Sequence, residues 1–322
     1  MQETFRSLTS LIKEHERIVI MTHKNIDLDG FGSALCLYTI IKSFNKECYI
    51  CLNKRQLNKP IIRAIETLKK ENILVDFLGK SCIKETVNKE TLLIILDTYK
   101  KELLEDKVAL QLTSNIVIID HHIVNNDYII PTRLTYINSN LSSTNEIMVN
   151  YLKYLNKVVH PSIATIMLAG IEIDTNSFKV KTTETTYEAA AFLTSLGANN
   201  VTKQDMLKEN KDDYLRRLKF VKKSYMVNKE TILCTLDDKI VEKKDLATIA
   251  ENLLQFEDVE SSFVIGKISK NVVGVSARSL GNVDVFKICK KLGGGGHMTN
   301  AAVQINDVSI NEVKKRLLKI IN

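Results

Sequence analysis

Three short apolar runs, each finishing on acid or imidazole groups, set the tightest limit on what this chain can fold into. They are "RIVIMTH" (17–23), "TLLIILD" (91–97) and "NIVIIDHH" (115–122). Each predicts a buried strand whose polar residues begin where the strand stops. Between the first two lie "FGSALCLYTIIKSF" (31–44) and "IIRAIETLKKEN" (61–72), amphipathic patterns that predict helices. Strands and helices that alternate in this way predict an α/β fold with a parallel sheet and crossover helices. In open sheets of this kind ligands bind beyond the carboxyl ends of the strands, where the acids and histidines gather here.

Farther along, "SSTNEIMVNYLKYLNK" (142–157) opens with Ser and Thr ahead of Glu146, a helix start. A second helix is expected over "SIATIMLAGI" (162–171), leading into "EIDTNSF" (172–178). After "TYEAAAFLTSLGA" (186–198), the charged run "QDMLKENKDDYLRRLKFVKKSYM" (204–226) reads as a connecting helix. Strand patterns follow at 231–236, 261–268, 272–279 and 301–305, with helical ones near 245–254, 283–292 and 309–320. The expected organisation is a parallel-sheet domain over 1–198, a helical linker over 199–228 and a smaller α/β domain over 229–322.

The 322 residues suffice for two cores, and 44% hydrophobic content is ordinary for a globular protein. The strongest apolar stretch, "ATIMLAGI" (164–171), stops at Glu172, far short of the roughly 20 residues a membrane helix needs. The N-terminus lacks the uninterrupted apolar core of a secretory signal, so a cytoplasmic location is expected. Six cysteines include a single C-x-x-C, Cys48 to Cys51, with no second pair to complete a zinc site, and read as reduced structural thiols. A net charge of +7 suits an anionic partner, although a Lys-rich solvated surface has the same signature.

The nonapeptide "THKNIDLDG" sets His23, Asp27 and Asp29 just past a strand. Mixed carboxylate and imidazole ligands suit Mn²⁺, Fe²⁺ or Zn²⁺, and several carboxylates allow two neighbouring cations. The alternative is an Asp- and Gly-rich turn. Asp97 ends an apolar strand, where an unpaired charge is unfavourable unless it meets a cation or several donors; the alternative is an N-cap for "TYKKELLED". The triplet Asp120, His121, His122 ends another strand, and adjacent histidines point in different directions, so one of them is expected at a given metal. Asp174 is a fifth such carboxylate, again with a cap as its alternative. Five coincidences of this kind in one domain favour a site.

These residues resemble the DHH phosphoesterase superfamily, whose triplet stands at 120–122 and whose DHHA1 partner domain carries a glycine–histidine run like "GGGGH" (293–297). The resemblance covers nearly the whole chain. Within the superfamily the chain is similar to the catalytic region of GdpP-type cyclic-di-AMP phosphodiesterases, through "HKNIDLDGFG", "SSTNE", "LAGIEIDTNSF", "SARS" and "LGGGGHMTNAA". The resemblance implies a two-metal hydrolysis of cyclic-di-AMP to linear 5′-pApA with two Mn²⁺, for which Mg²⁺ or Co²⁺ are possible substitutes. His23, Asp27 and Asp97 would hold one ion, and Asp29, Asp97, His121 and Asp174 the other. Asp120 would orient its neighbours and His122 would lie close to the substrate phosphate. Ile26 and Thr22 depart from the usual proline and glycine of the first motif, which bears on the rigidity of that loop. A homodimer is also implied. So is a choice between a free-standing enzyme and the cytoplasmic part of a membrane-anchored parent. The rival within the superfamily is an NrnA-like phosphatase acting on pApA, short oligoribonucleotides or 3′-phosphoadenosine phosphate.

The run "GGGGHMTN" (293–300) then reads as a phosphate cradle. Glycines let backbone N–H groups approach phosphate oxygens because no Cβ stands in the way. His297 adds a donor, and Arg278 of "SARS" adds a planar guanidinium suited to phosphate. The expected substrate contacts are Arg278, Gly294, Gly295, Gly296, His297 and Asn300, on a small domain that would clamp a nucleotide over the metals.

Overall fold

A computed structural model describes residues 1–55, 57–124, 129 and 131–321. They form two compact units, Met1–Lys208 and Glu209–Asn322.

The first unit opens with α1 (Gln2–Glu14), β1 (Arg17–Met21), α2 (Leu28–Lys42), β2 (Glu47–Cys51), α3 (Lys59–Lys70) and β3 (Phe77–Leu78). It continues through α4 (Ile83–Thr86), β4 (Leu92–Leu96), α5 (Ala109–Leu112), β5 (Ile116–Asp120) and β6 (Leu134–Ile137), and ends in α6 (Thr144–Leu155), α7 (Pro161–Asp174), α8 (Glu184–Ser195) and α9 (Asn200–Leu207). The six strands are parallel in the order β3-β2-β1-β4-β5-β6. The parallel sheet expected from the three apolar runs is therefore present, with β2, β3 and β6 added to it.

Because side chains alternate across a strand, each central strand feeds two cores. Ile18, Ile20, Leu92, Ile94, Val117 and Ile119 join the core beneath α1, α2, α3, α6 and α7. Val19, Met21, Leu93, Ile95, Ile116 and Ile118 join a smaller core on the opposite face. Strands buried on both faces need unbroken apolar runs, which is why β4 and β5 have no exposed position. Cys48 and Cys51 of β2 lie in different cores, on opposite faces of the sheet, and all six cysteines are free.

The second unit contains α10 (Lys211–Val221), β7 (Tyr225–Met226), β8 (Thr231–Ile240), α11 (Lys243–Leu253), β9 (Ser261–Ser269) and β10 (Val272–Ser279), followed by α12 (Val285–Lys291), β11 (Gly295–Gly296), β12 (Asn300–Asn306) and α13 (Ile310–Ile321). Its mixed sheet runs β11-β12-β10-β9-β8-β7, with only β8 and β9 parallel. Val264 of β9 packs with Leu246 and Leu253 of α11, while its neighbours Phe263 and Ile265 pack with Val313 and Leu317 of α13.

One expected element differs. The charged run 204–226 is not a single helix: α9 ends at Leu207 and α10 restarts at Lys211. Lys208 is extended, and Asn210 caps the new helix by accepting from Asp212 N and Asp213 N. An Asn cap followed by two acids in the first turn is a start signal strong enough to interrupt a helical pattern. Among the described residues no helix is long and apolar enough to cross a membrane.

Candidate active site

The chain leaves β1 toward β2 and β3, then returns to place β4 on the other side of β1. The carboxyl ends of β1 and β4 thus flank a topological switch point, where diverging connections leave a crevice. The loop after β1 is tied down: Lys24 N donates to Leu103 O, Glu105 N to Thr22 O, and Asn58 Nδ2 to Ile26 O. Ile26, at the position where the family's pattern has proline, is buried in the core and anchors the loop by packing. Asp27 caps α2, accepting from Asp29 N and Gly30 N at 3.0 Å each. Gly30 lets α2 come close to Asp97: a Cβ there would lie 3.2 Å from Asp97 Oδ2, a tight contact.

The sequence candidates of the first unit converge here. His23 Nε2 lies 3.6 Å from Asp27 Oδ2 and 3.4 Å from Asp97 Oδ2. His121 Nε2 lies 3.7 Å from Asp29 Oδ2, 3.5 Å from Asp97 Oδ1 and 3.2 Å from Asp174 Oδ2. His122 Nδ1 is 2.7 Å from Asp120 Oδ1 and 3.8 Å from Asp97 Oδ1. Three overlapping groups result: His23 with Asp27 and Asp97; Asp29 with His121 and Asp174; and Asp97 with Asp120, His121 and His122. Both histidines of the triplet therefore approach Asp97, although adjacent side chains were expected to diverge. Asp97 follows β4 at φ 61° and precedes no α-helix it could cap, while Asp174 is the last residue of α7.

A cation suits this arrangement. Buried His121 has both ring nitrogens without a hydrogen-bond partner, an unfavourable state for an imidazole unless something else meets its lone pair. Burial, reinforced by the charge of Asp174, pushes the Asp29 carboxyl up to about 7. Burial and the charge of Asp27 push Asp174 up to about 7 as well. Asp97 is driven well above its usual range by burial and by Asp29. A divalent ion among these oxygens and imidazole nitrogens would remove the repulsion, and the described residues supply the donors to hold one. His23 is pushed up to about 11: burial acts against its charge, but the carboxylates of Asp27 and Asp97 outweigh it.

Asp120 is fully buried, and its Oδ1 accepts from His121 N, from His122 N and from the His122 ring. Burial raises its carboxyl, but the bonds from His122 win and hold it below the ordinary value. An ionised carboxylate only accepts, so the Nδ1–H of His122 donates to Asp120 Oδ1, on a ring whose side chain is 54% exposed.

Reading the sequence passes over a supporting group in "SSTNE". Thr144 N and Asn145 N, at the start of α6, donate to the two oxygens of Asp29 at 2.7 and 2.8 Å, and Thr144 Oγ1 donates to Asp97 at 3.2 Å. A helix N-terminus is a natural partner for a carboxylate. Asn145 Nδ2 bonds the carbonyls of Leu28 and Asp29 in a slot left by Gly32 and Gly170. Glu146, wholly buried, accepts from Ser142 N, Ser142 Oγ, Thr185 Oγ1 and Thr186 Oγ1. The visible signal was a helix start; that its polar residues face inward is decided by Asp29, more than a hundred residues away in sequence.

Within the second unit, a cavity of about 260 Å³ is lined by Arg278, Gly295, Gly296 and Asn300, together with Ser276 and Lys243. Gly294 and His297 lie outside this lining. The glycines serve a tight hairpin: a Cβ on Gly294 would lie 2.3 Å from Ala302 O, and one on Gly296, at φ 137°, would lie 2.4 Å from Asn300 O. Arg278 Nε bonds Glu251 Oε1 at 3.0 Å, and its Nη1 bonds Ser276 Oγ and Ala277 O.

The chain is similar to known proteins along nearly its full length. It is 35% identical to the cyclic-di-AMP phosphodiesterase GdpP of Geobacillus thermodenitrificans over 98% of its own residues, and spans 49% of that protein. It is 26% identical to the bifunctional oligoribonuclease and PAP phosphatase NrnA of Thermus thermophilus over 99% of its residues, which is 94% of that protein. An exopolyphosphatase-related protein from Bacteroides fragilis shares the fold, with a TM-score of 0.80 at 18% identity, covering 99% of this chain and 96% of the other. The model of the DHH family, N-terminal domain, matches residues 17–171, and that of the DHHA1 domain matches 224–322. With these two domains in succession accounting for most of its length, the chain belongs to the DHH/DHHA1 phosphoesterase superfamily.

Proposed function

We propose that the chain is a phosphodiesterase that hydrolyses cyclic-di-AMP to 5′-pApA at a manganese centre of two ions. The observation that carries this reading is the overlap of donor groups at the switch point, where Asp97 belongs both to the His23–Asp27 group and to the group of the triplet histidines. His23, Asp27 and Asp97 are the proposed holders of one ion, and Asp29, Asp97, His121 and Asp174 of the second. When bound, such ions polarise a phosphoryl oxygen and make water a competent nucleophile near neutral pH. Asp120 fixes the His122 ring through Nδ1, leaving Nε2 as the ring nitrogen proposed to exchange a proton with a substrate oxygen. The backbone N–H groups at Thr144 and Asn145 hold the Asp29 carboxylate in one orientation.

Arg278, the Gly294–Gly296 run, His297 and Asn300 are the proposed phosphate-binding groups, with Arg278 exchanging the Glu251 carboxylate for a phosphate oxygen. A cytoplasmic homodimer belongs to the same reading. NrnA-like cleavage of pApA or short oligoribonucleotides is the second reading, supported by the 26% identity with NrnA over 99% of this chain. Product chromatography after incubation with Mn²⁺ separates the two. Conversion of cyclic-di-AMP to pApA is the expected result, whereas rapid cleavage of pApA with the cyclic compound untouched supports the second reading and overturns the first.

A further inference from the structure

The segment after Asp174 is folded in a way that packing alone does not call for. Asn176, Ser177 and Phe178 have φ of 47°, 58° and 62°, three side-chain-bearing residues in succession in the left-handed region. Each such residue crowds its Cβ against the following carbonyl, so a run of them persists only where the surroundings impose it. Buried Thr175 does the imposing: its Oγ1 donates to Ile171 O and accepts from Phe178 N, while its carbonyl accepts from Lys179 N and Val180 N.

The turn sets the Phe178 ring against that of Tyr187, with centroids 5.7 Å apart and planes at 15°. Phe178 packs on the core and is thereby fixed, whereas Tyr187 is 58% exposed. The outer ring of this stack, on the first turn of α8, is therefore the one largely in solvent. That turn is joined to the active site through one buried carboxylate. Glu146 accepts from Thr185 Oγ1 and Thr186 Oγ1, the residues just before Tyr187, and Glu146 itself follows directly on the Thr144–Asn145 pair that holds Asp29.

We propose that the Phe178–Tyr187 stack is a nucleobase platform beside the phosphoryl site, and that the left-handed turn exists to hold it there. The ligand class is a base-bearing phosphate ester, with the base on Tyr187. Inorganic polyphosphate or pyrophosphate would gain nothing from an exposed ring stack. This inference rests on the phosphodiesterase reading, which it deepens by naming what grips the base.

The test uses the full chain with Mn²⁺, the variants Tyr187→Ala and Tyr187→Phe, an adenine dinucleotide, and a dinucleotide of the same backbone with tetrahydrofuran in place of both bases. Base–aromatic stacking is worth enough that Tyr187→Ala should raise KM for the adenine compound about tenfold, with a smaller change in kcat. Turnover of the base-free compound should be unchanged, and Tyr187→Phe should restore the original KM. Equal effects on the two substrates, or none on either, overturn the platform. So does a change in mass by sedimentation in Tyr187→Ala, which would assign the ring to contact with a second copy of the chain. If the unsubstituted chain cleaves neither compound, the phosphodiesterase reading fails by itself. The platform is then decided by binding of a 2-aminopurine dinucleotide, whose fluorescence stacking quenches: quenching lost in Tyr187→Ala upholds the platform, and quenching retained removes it.

Discussion

Asp97 shows how much a single side chain can be asked to do. It is buried, stands at φ 61° directly after a strand, and lies within 4 Å of ring nitrogens from His23, His121 and His122. Burial and Asp29 disfavour its charge, so in the metal-free protein Asp97 opposes the fold it occupies. Asn has the same shape, tolerates the left-handed region and carries no charge. Asp97→Asn should therefore leave the metal-free protein as stable as before or more so, while weakening Mn²⁺ binding and lowering turnover by on the order of a hundredfold or more. Thermal melts without metal, paired with calorimetric Mn²⁺ titration, check both halves. A variant that melts lower and binds Mn²⁺ normally would make Asp97 a structural residue.

At the scale of elements, the site depends on how closely α2, α6 and α7 approach one another. A Cβ on Gly170 would lie 2.3 Å from Asn145 Nδ2 and 2.6 Å from Leu28 O, so neither α2 nor α6 can yield easily. Gly170→Ala should destabilise the fold by about 1–3 kcal/mol, as overpacking does, and displace the Asn145 side chain that binds the first turn of α2. Denaturant unfolding measures the first effect; a loss of activity beyond the unfolded fraction at the assay temperature measures the second. The sequence made β1, β4 and β5 legible because their central residues are buried on both faces and form apolar runs, with Arg17 and Asp120 only at strand ends. It hid β2, where Glu47 and two cysteines interrupt the pattern, and β6, none of whose residues is fully buried. The clustering of acids and histidines could be read from their places at strand ends. The roles of Thr144, Asn145 and Glu146 could not, because their partners Asp29, Asp97 and Thr185 lie far away in sequence.

Over the whole molecule, these carboxyls make stability, pH and metal interdependent. Asp29 and Asp174 each titrate near an ordinary 3.8 when unfolded but at about 7 when folded. Between those values the folded chain binds protons that the unfolded chain has released, so the metal-free protein is favoured at the acid end and loses that contribution as pH rises through 7. His23 works on a different range: raised from 6.5 to about 11, its contribution is complete below 6.5 and fades only as pH climbs toward 11. Cations compete with the same protons, so the stabilisation gained from Mn²⁺ should be small on the acid side and largest above 7. Every proposed metal-holding residue belongs to Met1–Lys208. Added protection from hydrogen exchange should accordingly appear at the carboxyl ends of β1, β4 and β5 and at the start of α6, and not in β8, β9, β10 or β12. Melts with and without Mn²⁺ on both sides of pH 7, with exchange mapped at the higher pH, give the answer. A gain independent of pH would remove Asp29 and Asp174 from the ligand set, and protection spread evenly over both sheets would mean that the ion acts elsewhere than at the switch point.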